Sequence, residues 1–497
     1  MDLSEDVEAI ETLSPLRRDS YISTAKEDTK WRLIIVTGIV QGINAVQNSI
    51  LGMGAWPYMK ELDIEATAPF FGFSQSAAKF VHAIFALLFS LWSYKSKSVR
   101  APMLAGRFVV MIGCVIYLGI EYIPKNRRYV MMTVYSMFSV ANGACTVLRG
   151  YIVMCSSTKD RSKAFASIGL SVLLSIIVGP IIQLFFSGIA YPGYEIIPGL
   201  RFHVFSSPIW FSLFLTILTV IIICYFMDEV HPVTTEGETE NEKSSAEPLI
   251  SFKKIKETLK SSTENGLNWR LISVCLLVKI AFSFLTSTLS SVMSISFMVQ
   301  YAWSGSSTVL LSSIMMTSFG VISCTVLLLY IFCRLGERVH QEKLVCACFV
   351  AFGLLFTATY PFEFDSEPLA PYNATGRIGC NPEEYSWCGS ALAVNPYIMM
   401  VALTVILAPT LPMLGTAFET VYSRVLGTID QSVAQGVMAV VGDVVGMITP
   451  VFMTSLFTSF GVGPLWIMMS TIFYAVAGIW LVHVQQFRKQ MTDTVTD

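Results

Sequence analysis

Long apolar runs and short polar loops alternate along nearly the whole chain, and one long polar stretch interrupts the series near its middle. Each run is about as long as the roughly 20 predominantly apolar residues that a helix needs to cross a bilayer. The polar stretch, residues 227–268, is rich in Lys, Glu, Ser and Thr and nearly free of aromatic residues, so it cannot bury enough surface to fold alone. The pattern predicts an all-α polytopic membrane protein with twelve transmembrane helices in two six-helix bundles.

The predicted segments follow directly from this alternation. A cytosolic tail (1–30) precedes the first bundle (31–226), and the linker (227–268) leads to the second bundle (269–485) and a short tail (486–497). The predicted spans are 31–58, 70–92, 103–123, 130–154, 164–186, 208–226, 271–292, 308–332, 344–360, 397–417, 431–457 and 465–484.

Composition supports a membrane protein and narrows the function classes. Hydrophobic residues make up 54% of the 497 residues and charged residues only 14%. The net charge of −2 gives no reason to expect a nucleic-acid partner, and the sequence has no Gly-rich phosphate loop or metal-spaced Cys/His cluster that would bind a cofactor. The first 30 residues lack an apolar segment typical of a cleavable signal, so we expect the first span to direct insertion.

The distribution of Lys and Arg predicts the orientation. The loops that follow the even-numbered spans are basic, which places them in the cytosol together with both termini and the linker. Their basic residues are Lys95, Lys97, Arg100, Lys159, Arg161, Lys163, Arg334, Arg338, Lys343 and Arg424. The group Lys125, Arg127 and Arg128 is an exception, because it follows the third span.

The loop 361–395 is the longest on the opposite, lumenal side. It contains the sequon Asn373-Ala374-Thr375, so we expect Asn373 to be glycosylated, which requires a lumenal or extracellular position. It also holds Cys380 and Cys388, the only two of the eleven cysteines away from the apolar spans. On the oxidising side we expect them to form a disulfide, the alternative being two unpaired thiols.

Ionisable and polar residues at membrane depth are the candidates for a transport pathway, because each is costly to place there. These residues are Lys79, His82, Arg149, Tyr151, Lys279, Glu419 and Asp443. Arg149 and Glu419 could instead extend their charged ends to the cytosolic interface. Lys79, His82 and Asp443 lie deeper, and for them we favour a pathway role over structural pairing.

Two alternatives remain open for the deepest group. Lys79 and Asp443 could form an ion pair between the bundles, or the cations could attract an anion. His82 is the residue best suited to change charge between neutral and acidic pH, although a lone histidine is more often a satisfied hydrogen-bonding group.

Small residues and prolines mark two spans as candidates for bending. Gly179 and Pro180 lie in the fifth span, and Gly446 and Pro450 lie in the eleventh. Small residues permit close helix approach, and a proline leaves a carbonyl unbonded and kinks its helix. We interpret these four residues as hinge positions.

Local motifs carry a resemblance to a known family. Ser175-xxx-Gly179-Pro180 resembles the span-five GxxxGP motif of the major facilitator superfamily, and Arg334-Leu-Gly336-Glu-Arg338 resembles its loop motif. Further segments resemble its major facilitator superfamily domain-containing protein 8 family. They are Trp56-Pro57-Tyr58, Phe89 to Ser93, Val147 to Tyr151, Tyr301-Ala302-Trp303, Gly379-Cys380, Trp387-Cys388 and Tyr422 to Gly427.

This resemblance implies a lysosomal or late endosomal transporter of a small solute or ion, with chloride as the ion most associated with that family. Leu249 and Ile250 resemble an acidic dileucine signal for sorting adaptors. We interpret the protein as a non-enzymatic transporter of a small, anionic solute that works by alternating access. The alternatives are a chloride channel and a non-transporting receptor or scaffold; an intramembrane enzyme would need a converging nucleophile and base, which the sequence lacks.

Overall fold

The computed structural model describes residues 29–156, 161–198, 200–228, 268–333, 339–364, 366–373, 378–426 and 431–496. Within these residues, twelve helical segments are long and apolar enough to cross a membrane, which confirms the predicted fold class. Most of the predicted linker, including Leu249 and Ile250, lies outside the described residues, as do residues 1–28 and the motif Arg334 to Arg338.

Seven helices form the first half of the chain. They are α1 (Trp31–Leu62), α2 (Ala68–Ser96), α3 (Arg100–Leu118), α4 (Arg127–Cys145), α5 (Val147–Cys155), α6 (Arg161–Phe186) and α7 (Ser207–Phe226). The fourth span, predicted as one run over 130–154, is divided between α4 and α5. The division falls at Thr146, whose hydroxyl donates to the carbonyl of Gly143.

Six helices form the second half. They are α8 (Trp269–Gln300), α9 (Gly305–Phe332), α10 (Gln341–Ala358), α11 (Pro396–Leu426), α12 (Gln431–Phe460) and α13 (Val462–Thr496). The last helix continues well beyond the predicted end of its span, so residues 486–496 of the predicted tail are helical.

Because the spans alternate in direction, the connections fall on two faces. We call the face where α1 begins and α7 ends the termini face. We call the opposite face, where α1 ends and α8 ends, the loop face. The loop face carries two short antiparallel pairs: β1 (Tyr194–Ile197) with β2 (Leu200–Phe202), and β3 (Ser366–Pro368) with β4 (Leu392–Val394).

The two halves meet through helices that approach closely at glycines. The helix α2 packs along α12, and α6 packs along α9. A Cβ added at Gly72 of α2 would clash with the hydroxyl of Thr454 and lie 2.5 Å from the carbonyl oxygen of Pro450. A Cβ added at Gly320 of α9 would lie 2.8 Å from Ile177 of α6. Packing of this kind replaces the hydrophobic driving force that lipid does not supply.

The loop 361–395 is anchored by its own contacts. Cys380 and Cys388 form a disulfide, which confirms the predicted pairing. The indole of Trp387 donates to the carbonyl oxygen of Thr458 at 3.0 Å and packs against Gly461. A Cβ at Gly461 would lie 2.9 Å from that indole, and its φ of +75° also favours glycine. The disulfide and the indole thus fix the loop over the connection between α12 and α13.

The two arginines of the basic group after the third span have local partners. The guanidinium of Arg128 pairs with Glu65 at 2.8 Å and with Asp63 at 3.7 Å. Arg127 donates to the carbonyl oxygens of Ile123 and Glu121. These partners explain how positive residues are accommodated on the loop face, where the charge distribution predicts few of them.

The candidate hinge positions lie inside unbroken helices. Pro180 is within α6 and Pro450 is within α12, and both helices continue through them. A Cβ at Gly179 would lie 2.5 Å from the hydroxyl of Ser49, so Gly179 is required for the approach of α6 to α1. A hinge role for these positions remains a prediction.

Gly72→Ala should push the halves apart at the loop face, because its methyl group would overlap the carbonyl oxygen of Pro450 and the hydroxyl of Thr454. Overpacking of this kind costs about 1 to 3 kcal/mol. We expect faster labelling of a Met53→Cys reporter by a membrane-impermeant maleimide added at the loop face, in a background without the other free cysteines. Gly478→Ala in α13 is the matched control, since nothing lies within 4 Å of its added Cβ. Equal labelling rates in the two variants would contradict this separation of the halves.

Candidate transport pathway

The structure brings several of the predicted pathway residues to one junction of helices. Lys79 of α2 lies over Gly446 of α12, with its Cδ and Cε 3.9 Å from the position of an added Cβ. Lys279 of α8 lies over Gly442 in the same way, at 3.2 Å for its Cε. The charges that act on His82 are those of Asp443, Lys79 and Arg149. Side chains from both halves therefore converge where α2, α8 and α12 meet.

These ionisable groups are not neutralised by one another in this conformation. Among the described residues, the side chains of Lys79, Lys279, Arg149, Glu419 and Asp443 make no hydrogen bond or ion pair. An ion pair between Lys79 and Asp443, one of the two arrangements left open by the sequence, is therefore not formed here. The Nδ1 atom of His82 is also buried without a hydrogen-bond partner.

A second group lies within the second half. A cavity of about 60 Å³ is lined by Lys279, Glu419, Tyr422 and Phe418, among others. Glu419 is seven residues before the end of α11 and shares this cavity with Lys279. The cavity is large enough for a few water molecules, which would hydrate both charges.

Tyr151 lies away from these groups. Its side chain is 1% exposed within an apolar cluster, and its hydroxyl donates to the carbonyl oxygen of Asp228 at 2.7 Å. Arg100 also bonds to Met227 and pairs with Asp228. Tyr151 therefore anchors the end of α7 and is not brought to this junction, whereas Arg149, two residues earlier, is exposed.

Sequence reasoning missed a further charge at membrane depth. Arg107 of α3 is 1% exposed, and its guanidinium donates to Gln47 and Asn44 of α1 and contacts the sulfur of Cys145. Two features of the sequence could have indicated it. Arg107 is a charged residue within an apolar run, and Asn44 and Gln47 lie three residues apart on one side of another predicted helix. With Arg107, the ionisable groups considered at membrane depth are four cations (Lys79, Arg107, Arg149 and Lys279), one histidine (His82) and two carboxylates (Glu419 and Asp443).

The two halves are joined at the loop face. Lys60 pairs with Glu384 at 3.0 Å, the backbone N–H of Tyr191 donates to Ser306, and Ser313 donates to the sulfur of Met53. These hydrogen bonds between the halves join described residues, and all of them lie nearer the loop face than the termini face. The conformation is therefore closed on that side.

A buried polar cluster supports this closure. Glu121, whose side chain is 9% exposed, lies 3.3 Å from the Nε2 of His203 and 3.8 Å from the Nε of Arg201. His203 Nδ1 accepts the backbone N–H of Phe205, so its Nε2 carries the proton that faces Glu121. Phe205 packs against Gly305 of α9, where an added Cβ would lie 3.2 Å from the ring. Local patterns did not reveal this cluster, because Glu121 lies 80 positions before Arg201 along the chain.

Two tyrosines of the loop face have raised pKa values. Burial raises the pKa of Tyr385 well above its ordinary value, and the charge of Glu384 adds to the effect. Burial likewise raises the pKa of Tyr191, and Glu121 contributes in the same direction. Both phenols are protonated in the physiological range, as ordinary tyrosines are, and the shifts move their ionisation to still higher pH.

The family follows from a comparison with known proteins. Residues 37–374 match the model of the Major Facilitator Superfamily. The chain belongs to that superfamily. It is also similar to major facilitator superfamily domain-containing protein 8 of Xenopus laevis, with 22% identity over 484 residues, covering 90% of this chain and 91% of the relative.

Solved structures of the superfamily share the fold. The nucleoside transporter NupG aligns with a TM-score of 0.55 at 11% identity, over 92% of this chain and 98% of its own. A bacterial homolog of the human lysosomal transporter Spinster aligns with a TM-score of 0.55 at 12% identity, over 95% of each chain. The human organic anion transporter MFSD10 (TETRAN) aligns with a TM-score of 0.53 at 13% identity, over 91% of this chain and 100% of its own. Family and fold together make this chain a multi-pass membrane transporter.

Lys60→Glu should weaken closure at the loop face, because it places two acids in contact where Lys60 and Glu384 now pair. The double variant Lys60→Glu with Glu384→Lys should recover most of the loss, and we expect a coupling free energy on the order of 1 kcal/mol. The readout is the maleimide labelling rate of Met53→Cys from the loop face. Lys95→Glu, an exposed change of the same charge at the far end of α2, should leave that rate unaltered. A double variant that labels as fast as Lys60→Glu would contradict the pairing.

Proposed function

We propose that this protein transports a small anionic solute across the endolysosomal membrane by alternating access. The observation that supports it is the set of unpaired charges at the junction of α2, α8 and α12. An unpaired ionisable residue at membrane depth is expensive and is a functional-site hypothesis by default. Here the cations outnumber the carboxylates and come from both halves, which favours an anion between them.

Alternating access requires halves that separate on one face while they stay joined on the other. Closure at the loop face by Lys60, Glu384, Tyr191 and Ser306 is one such state. If the halves move about the glycine contacts between α2 and α12, the distance between Lys79 and Asp443 changes. In the proposed cycle, the solute contacts four side chains: Lys79, His82, Arg149 and Lys279. The two carboxylates, those of Glu419 and Asp443, pair with these cations in one state and release them in the other. Gly179, Pro180, Gly446 and Pro450 would serve as hinges.

The proposed location and orientation rest on the sequence. The basic loops of the termini face support a cytosolic position for it, and the sequon at Asn373 supports a lumenal position for the loop face. Leu249 and Ile250 support sorting to the lysosome by adaptor proteins. A chloride channel of the same membrane is the second candidate, because unpaired cations would also suit chloride; closure at one face favours a carrier over an open pore.

Removal of the deep cations tests the transport role. We expect Lys79→Ala and Arg149→Ala to lower anion flux about tenfold or more, the factor that corresponds to about 1.4 kcal/mol of lost interaction. Flux is measured by patch clamp of whole endolysosomes with chloride as the main permeant anion, and by uptake of labelled anions into proteoliposomes. Lys95→Ala is the matched control, since it removes an exposed charge from the same helix.

The two assays separate the candidates. A chloride current that reverses at the chloride equilibrium potential and far exceeds carrier turnover would establish the channel. Uptake without such a current would establish the carrier. A third outcome would favour a receptor or scaffold: the correctly sorted wild type shows no flux, and the variants that lack the deep charges keep their cellular function.

Asn373→Gln tests the orientation. Asn373 is exposed at the loop face. If that face is lumenal, the wild-type protein from cells should lose apparent mass on treatment with an amidase that releases N-glycans, and the variant should not respond. An unmodified wild-type protein would remove this support for the orientation, and protease accessibility of the two faces in sealed vesicles would then decide it.

A further inference from the structure

The side chain of Arg107 is enclosed among neutral groups within the first half. It lies seven residues from the start of α3, about 10 Å along the helix axis at 1.5 Å per residue. Its guanidinium donates to Gln47 Oε1 at 2.9 Å and to Asn44 Oδ1 at 3.0 Å. No carboxylate pairs with it among the described residues. A charge in this position is retained where it has a role, because neutral partners only partly offset its desolvation.

The partners of Arg107 have fixed orientations. Gln47 Nε2 donates to the carbonyl oxygen of Ser212 at 2.8 Å, so its oxygen must face the arginine. The oxygen of Asn44 faces Arg107 in the same way, and its Nδ2 therefore points away and donates to Asn142 Oδ1 at 2.6 Å. The positive charge thus sets the direction of the hydrogen bonds that lead from α3 through α1 to α4.

The series ends in a pair of asparagines. Asn142 Oδ1 also accepts Nδ2 of Asn48 at 2.5 Å, and Asn142 Nδ2 donates back to Asn48 Oδ1 at 2.9 Å. Each amide nitrogen carries two N–H groups, and one of each is used in this pair. One N–H on Asn48 and one on Asn142 are therefore left to donate, whereas both lone pairs of Asn142 Oδ1 are occupied.

The asparagine pair lies beside the space between the two halves. Asn48 and Asn142 are each partly exposed. One turn along α1, Gly52 is exposed and an added Cβ there would meet nothing within 4 Å. The next residue, Met53, contacts Ser313 of the second half. One turn before Asn44, the Oε1 of Gln41 is buried without a partner. The asparagine pair is thus partly open, on a polar stretch of α1 one turn away from a contact with the second half.

We propose that Asn48 and Asn142 form an anion-binding site in the first half, with Arg107 behind it as the source of positive charge. The two free N–H groups would donate to a hydrogen-bond-accepting anion, either a carboxylate of an organic solute or a halide. Arg107 does not contact the ligand; it is a positioning residue that fixes the amides with their donors outward. This inference rests on the proposed transport function and names a binding site for its solute.

Asn142→Asp tests the site directly. The aspartate keeps an oxygen that accepts from Asn44 and Asn48, but it replaces the amide nitrogen, which donates to Asn48 Oδ1 and outward, with a negatively charged oxygen. The assay is thermal unfolding of the purified full-length protein with potassium chloride, potassium acetate or potassium succinate. Acetamide is the neutral control for acetate, and succinamide is the neutral control for succinate. We expect a saturable rise in the Tm of the wild type with at least one anion and not with the neutral amides. In Asn142→Asp the half-saturating concentration should rise at least tenfold.

Two further variants complete the test. Asn395→Asp, the matched control, makes the same change at a loop-face residue whose Oδ1 accepts the N–H of Tyr397, and it should bind like the wild type. Arg107→Gln should reduce the preference for an anion over its neutral amide, and Arg107→Lys should largely retain that preference. Saturation by chloride alone would identify a halide site, and saturation by acetate or succinate a carboxylate site.

Two results would overturn the site. One is a half-saturating anion concentration in Asn142→Asp equal to that of the wild type; the other is that none of the three anions raises the Tm of the wild type in a saturable way. Proteoliposome uptake distinguishes these from failure of the transport proposal. Normal uptake by the wild type with unaltered binding in Asn142→Asp would leave transport in place and remove the site. Binding that is lost in Asn142→Asp, in a protein that moves no anion, would retain the site and remove transport.

Discussion

The structure depends on charged groups held where lipid would otherwise exclude them. Three of the deep cations lie against neighbouring helices: Lys79 over Gly446, Lys279 over Gly442, and Arg107 inside a set of amides. Glycines on α12 leave the space through which the lysine side chains pass. The same glycines allow α2 and α8 to approach α12, so the packing of the halves and the placement of the charges have one cause.

The two kinds of deep charge differ in their surroundings. Arg107 donates to neutral amide oxygens and is fixed by them, whereas Lys79, Lys279 and Asp443 make no hydrogen bond or ion pair among the described residues. A fixed charge shapes the potential of the first half in every conformation. A free charge can change partners when the halves move, which is the property that alternating access needs.

Closure at the loop face relies on different chemistry. Its direct contacts are few, and the Lys60–Glu384 pair is only partly buried, so it contributes modestly. The contacts are backed by the buried cluster of Glu121, His203 and Arg201, and on the other side by a loop that a disulfide and Trp387 hold in place. Rigid elements that meet through a small set of weak contacts can separate without unfolding.

Local pattern alone determined the twelve spans and the loop that holds Cys380 and Cys388, because span length and hydropathy are properties of adjacent residues. The tertiary structure decided which way each side chain faces. In a bilayer both the lipid-facing and the packed sides of a helix are apolar, so hydropathy does not reveal its rotation. Tyr151 and Arg149 are two residues apart, yet one is buried and the other exposed. Arg107 meets partners 60 and 63 positions away, which no local pattern specifies.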